Sequence, residues 1–166
     1  MALVKKIKDR KVNIEFNKEF IKVINEKIKS QDTNFLDKSL KELLPADSAD
    51  IIENLSPENR SKLIELEGFS IDPEIFVELN ESIQTEIFLL LSIESIAGLV
   101  KKLESDDAIK ILENLDKSKK ETVLNKLPPK DRFLLEEGLS YPEDTAARIM
   151  QREFTAIPSN WSVGHT

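Results

Sequence analysis

"IFLLLSIESIAGLVKKLESDDAIKILENL", Ile87 to Leu115, holds the same phrase three times. The apolar pair Ile87-Phe88 recurs as Leu99-Val100 and as Ile111-Leu112, and each pair is followed by a register leucine, Leu91, Leu103 and Leu115. The interval is twelve. Carried outward, the leucine register falls on Leu55, Leu79, Leu127 and Leu139, with one gap at Glu67. The position four residues before each register point is apolar in all eight units: Ile51, Leu63, Ile75, Ile87, Leu99, Ile111, Val123 and Leu135. Its neighbour is Ile52, Ile64, Phe76, Phe88, Val100, Leu112 and Leu124, and only in the last unit is it charged, as Glu136. Positions spaced i, i+1, i+4 share one helix face, because a turn takes about 3.6 residues.

Each unit also opens with helix-start chemistry, at Ser56, Asn80, Ser92, Glu104, Asp116 and Pro128. Ser, Asn and Asp cap free amides, Pro is tolerated in the first turn, and acids favour the positive end of the helix dipole. The spacing leaves roughly eight to ten residues per helix, or rods of about 12–15 Å. Such helices are marginal alone in water and must stack stripe to stripe. The expected fold is all-α, a solenoid or superhelix of short helices in units of about twelve residues. An irregular bundle with accidental spacing is the plain alternative, and eight consecutive matches argue against it. Before the repeat, "EFIKVINEKIKS" reads as a longer opening helix and "NFLDKSLKELL" as a second one leading into the array.

Composition agrees. The chain has 166 residues, enough for one domain with a core or one domain plus a fragment. Leu, Ile, Lys and Glu dominate, which favours helices. With no cysteine there is no disulfide framework and no thiolate metal site, as fits the cytosol. The net charge of −7 is unevenly spread: residues 1–30 carry nine Lys/Arg against four Asp/Glu, and residues 31–166 carry 15 against 27. An acidic body repels nucleic acid and attracts cations or basic partners. The basic "KKIKDRK" at the start could touch lipid or RNA, but short charged ends are ordinarily solvated. Lys5, Lys6 and Lys8 interrupt the only early apolar stretch, so no signal peptide is expected. The longest apolar run, Ile87–Leu91, is far short of the ~20 residues a membrane helix needs.

After Leu139 the register stops. Tyr141-Pro142 breaks the helix, since a residue before Pro avoids helical dihedrals. "TAARIM" is a short helix candidate, "EFTAIP" a brief extended segment, and "SNWSVGHT" a turn into something further. The divisions expected are a basic helical segment at 1–30, the helical repeat at 31–140, and a junction at 141–166 that opens a second domain. Without its partner the tail is expected to be mobile or loosely packed on the array.

Several phrases together resemble the cytoplasmic N-terminal domain of the MgtE magnesium transporters. They are "LLPADSADIIENL" (Leu43–Leu55), the twelve-residue units, "LESDDAIKILENL" (Leu103–Leu115) and "LSYPEDTAARIMQREFTAIPSNWSVGHT". The likeness covers about residues 20–166. Its most specific parts are the "PAD-x-AD" opening, the "YPED-x-A-x-R-x-M" junction and the "A-I-P-x-x-W-S-V" lead-in of a CBS domain. Ala147 departs from the family, where Gly is commoner. The resemblance implies a right-handed superhelix, and a homodimeric membrane parent with a CBS pair and a pore. In that family Mg²⁺ between the cytoplasmic domains holds the assembly compact and the pore shut. This chain would then be the regulatory arm at the cytoplasmic face of the inner membrane, itself soluble and monomeric. Its partner would be the CBS domain of the same or the partner subunit, with no nucleic acid involved.

Mg²⁺ takes oxygen ligands in octahedral geometry and keeps several waters, so one or two carboxylates from each side of an interface suffice. The resemblance implies that Asp106 and Asp107 begin a helix facing the CBS side, with Asp106 at a metal-contacting position and Glu74 at another. Where some members carry a further acid four residues on, this chain has Lys110. The bland reading of Asp106-Asp107 is helix capping. Asp47/Asp50, Glu136-Glu137 and Glu143-Asp144 read as solvated faces. His165, the lone histidine, makes no site. No nucleophile–base set, phosphate loop or zinc spacing is present, so no enzyme is expected. The competing expectation is a metal-independent interaction scaffold, similar to the helical repeats of the flagellar motor switch proteins.

Overall fold

The computed structural model describes residues 14–67 and 71–153 together with positions 157 and 164. Among these residues it forms eleven helices and no strand. In chain order they are α1 (Ile14–Lys29), α2 (Thr33–Lys41), α3 (Pro45–Glu53), α4 (Pro57–Glu67), α5 (Pro73–Glu78), α6 (Glu81–Leu90), α7 (Ile93–Val100), α8 (Ser105–Glu113), α9 (Lys117–Lys126), α10 (Pro129–Ser140) and α11 (Ala146–Ile149). The largest set of helix neighbours in space is two apart in sequence. Thus α2 packs on α4, α3 on α5, α4 on α6, α7 on α9 and α8 on α10, while α1 rests on α2 and α4. A second set of contacts, α5 with α8 and α7 with α8, ties the first half of the array to the second.

The stripe read from the sequence is the core. All eight residues of the first apolar column are buried, from Ile51 through Leu135. So are the seven apolar members of the second column, whereas Glu136 is exposed. Phe76 and Phe88 stack with their ring centroids 6.3 Å apart, joining α5 to α6 through the second column. Each such side chain, fully buried, contributes about 1.5–3 kcal/mol of transfer free energy. Helices of eight to twelve residues lack this stabilisation until they stack, so the array forms cooperatively.

The starts follow the local chemistry. Asn80 accepts from the Ile83 amide, Ser92 from Ser95 and Asp116 from Lys119, each satisfying an amide that the first turn leaves free. Asp32 does the same for Phe35 at the head of α2. Between α1 and α2 the chain turns through Gln31 in the left-handed region, at φ 55°. Lys27 closes that turn on Asp32 at 2.7 Å.

A second repeating column, unmarked by hydrophobicity, seals the helix ends. Ser48, Arg60 and Gln84 stand three residues before the apolar pair of their units, on the same face, and are buried at 0%, 4% and 1% exposure. Each reaches a carbonyl eight residues earlier, at the end of the preceding helix. Ser48 Oγ donates to Leu40 O, Arg60 Nη1 to Ile52 O and Gln84 Nε2 to Phe76 O. The last carbonyls of a helix have no partner within it, and these side chains supply one. In the next two units the same position is the buried Ile96 and Ala108, and in the last two it is Lys120 and Arg132, neither of them buried.

Residues 141–153 are fixed to the array. Arg148 of α11 is 6% exposed; it donates to the Gly138 and Tyr141 carbonyls and pairs with Glu113 at 2.6 Å. The reason is chemical: at the end of α10 the Gly138 carbonyl accepts from the Tyr141 amide, and an arginine from the next segment adds a second donor there and one at the Tyr141 carbonyl. Gly138 permits the approach, because a Cβ there would run into Ile109 and the Arg152 guanidinium. The extended segment expected at "EFTAIP" and the CBS lead-in at "AIPSNWSV" lie, apart from Glu153 and Ile157, outside the described residues.

Candidate functional site

Helix α8 carries the acids that matter. Its N-cap, Glu104, makes no side-chain cap. The cap comes instead from the far end of the junction, where Glu153 Oε2 accepts from the Ser105 amide at 3.2 Å and from Ser105 Oγ at 2.8 Å. Ser105 Oγ in turn accepts from the Arg152 amide at 2.9 Å. These bonds hold the Glu153 carboxyl below the usual range: burial works to raise it, and the donated hydrogen bonds from Ser105 and Arg152 outweigh that. The side-chain cap of α8 is therefore supplied by Glu153, with Asp106 and Asp107 as acids of the first turn.

Both aspartates are half-buried in the first turn of α8. Asp106 Oδ1 is sealed from solvent and has no hydrogen-bond partner, an uncommon state for a carboxylate oxygen. The Asp107 carboxyl is pushed up, first by burial, then by the charge of Asp106 and that of Glu78, while Lys110 works the other way. Two acids side by side, one orphaned and one with its charged form disfavoured, make a turn short of positive charge.

Glu74 stands on α5, the helix packed against α8, but it is exposed. The α5 acid whose charge reaches Asp107 is Glu78, one turn further along. Sequence reading missed Glu78, although an acid at i+4 from Glu74 shares its helix face and could have been found that way. Among the described residues no group of three or more acids or histidines is arranged to hold a metal ion. The donor set present does suit a hard cation in part: oxygen only, two adjoining carboxylates, and one buried oxygen in want of a partner.

The fold and this turn define a stacked-helix domain with an acid-bearing helix at its joint to further chain. A family comparison makes the assignment: the MgtE intracellular N domain matches residues 43–144, and the chain belongs to that family. It is a transporter regulatory-domain family and not an enzyme family. Among solved structures, the chain is similar to the "Crystal structure of the soluble part of a magnesium transporter", with a TM-score of 0.74 and 22% identity. That likeness covers 87% of this chain and 57% of the other, so the chain spans little more than half of its structural relative. No curated protein sequence matches it. None of the helices among the described residues is long and apolar enough to cross a membrane.

Proposed function

We propose that this chain is a Mg²⁺-responsive regulatory arm of an MgtE-type transporter, acting at the cytoplasmic face of the membrane. Mg²⁺ at Asp106 and Asp107 would complete its six ligands with water and with oxygen donors of a CBS domain, from the same or the partner subunit of a homodimer. The ion neutralises repulsion between two acidic faces, draws the domains together and favours the closed pore. When Mg²⁺ falls, the faces repel and the arm moves away. One observation carries this reading: the buried, unpartnered Asp106 Oδ1 beside an Asp107 whose charge is disfavoured. Glu74 is a secondary contact in this reading, with Glu78 the nearer acid on α5. A metal-independent scaffold has no use for such a pair, and α8 would be more stable with Asp107 neutral.

An isolated arm has half of each bridge, so binding should be weak, on the order of 10⁻⁴–10⁻³ M or poorer. Mg²⁺ titration followed by amide NMR tests it. Shifts should cluster at residues 104–110 and around Glu78, and vanish in Asp106→Asn. Uniform, salt-like shifts that survive the substitution overturn the site.

A further inference from the structure

Helix α8 is held at both ends by the segment that leads out of the array. At its start, Glu153 takes the Ser105 amide and hydroxyl; at its end, Arg148 takes Glu113. Between these grips Arg152 donates to the Ala147 and Met150 carbonyls and lies over the Tyr141 ring, 5.7 Å from its centroid, which folds the segment back on itself. Ser105 is 3% exposed and both donates to Glu153 and accepts from Arg152, so the contact is built and reciprocal.

We propose that residues 141–153 form a clasp on α8 that joins the array and its exit into one body, with Glu153 and Ser105 as positioning residues for the cation response of Asp106 and Asp107. The proposal rests on the regulatory reading above and deepens it. The coupling follows from charge at one helix end. Glu153 places an anion on the first free amide of α8, one and two residues from the aspartates. Its field adds to theirs and raises cation affinity; a cation there, by lowering the local negative charge, tightens Glu153 on Ser105. Linkage makes the two effects equal. Movement relative to whatever follows must then arise beyond residue 153, or by opening the Glu153 end while Arg148 keeps its grip. Arg148 is the stronger anchor because it seals two carbonyls and an acid at once.

The test uses the 166-residue chain with Glu153→Ala, Glu153→Gln and Ser105→Ala, and Glu143→Ala as a control that removes an exposed acid of the same segment. Without metal, amide exchange at residues 105 and 151–153 should quicken at least tenfold in the first three and stay unchanged in the control. With Mg²⁺ as the only added ligand, the NMR titration midpoint should move to at least about fivefold higher concentration in Glu153→Ala, the low end of ordinary coupling. Mg²⁺ should also slow exchange at 151–153 in the unaltered chain. Lost stability with an unmoved Mg²⁺ midpoint reduces Glu153 to a structural cap and overturns the coupling. If instead Asp106→Asn leaves the titration intact while the metal-free exchange results hold, the clasp stands and the cation reading falls.

Discussion

Arg60 and Arg148 perform the same chemistry in two parts of the molecule. Each is buried, each seals the carbonyls that end a helix, and each pairs with a glutamate on a third helix. Arg60 does this inside the array, where α4 seals α3 at Ile52 and Glu53 and grips Glu86 of α6 through two parallel bonds at 3.0 Å. Arg148 does it at the edge, where α11 seals α10 and grips Glu113 of α8. One device continues the stack and, repeated once, ends it. An edge built like an interior joint is a firm platform, and this is why the exit segment follows the array instead of hanging from it.

The comparison breaks most visibly under arginine removal. Arg60→Ala strips a buried cation from two carbonyls and a carboxylate, and should cost about 2–4 kcal/mol of global stability in urea unfolding. The figure lies below the ~5 kcal/mol of a wholly buried pair because Glu86 is 32% exposed. Arg148→Ala should instead free residues 141–153 to exchange while moving the global midpoint by less than half as much. Equal global losses would mean the edge and the interior are one cooperative unit. Gln84→Ala comes next, at about 1–3 kcal/mol, since it abandons the Phe76 and Leu79 carbonyls and the Asn114 amide together.

These three residues mark how far the sequence could be read. The apolar columns were legible because burial writes itself as periodicity: all fifteen apolar positions of the paired columns are buried, while Leu91, Leu103 and Leu139 of the leucine register are half-buried. Ser48, Arg60 and Gln84 keep the same twelve-residue register, but polarity hid them, since a polar residue ordinarily signals the surface. Arg148 and Glu153 were illegible for another reason. Their partners lie 35 and 48 residues away, and no local pattern announces a carboxylate that caps a distant helix. Local pattern shows Asp106 and Asp107 only as acids in a first turn, and it is the family resemblance that marks them for metal. That Glu153 takes the capping role, leaving Asp106 Oδ1 without a partner, is a matter of packing.

The acids of α8 sharpen the comparison at smaller scale. Asp107→Asn should stabilise the metal-free chain, by less than about 1 kcal/mol once solvent screening of a half-buried group is allowed for. It removes a carboxylate held in charge against burial, against Asp106 and against Glu78. The same change should weaken the Mg²⁺ response, so stability and binding move in opposite directions. A substitution that lowers both would place Asp107 among the structural acids.

Glu153 should show the reverse sign against pH, with the smallest effect of all. Its folded pKa lies below its unfolded value, so its contribution is fully present above the ordinary glutamate range, near 4.3. That contribution is lost as pH falls through the depressed folded value. The native state therefore releases the proton more readily than the unfolded chain, and acid works against the Glu153 grip on Ser105. Side-chain carboxyl NMR from pH 7 to 2.5 should find Glu153 titrating below the ordinary glutamate range, while the Ser105 amide shift follows the Glu153 curve and not that of Asp107. A Ser105 amide that tracks Asp107 would mean that the helix start answers to its own first turn. The exit segment would then be a passenger on α8, and the likeness between Arg60 and Arg148 would end at geometry.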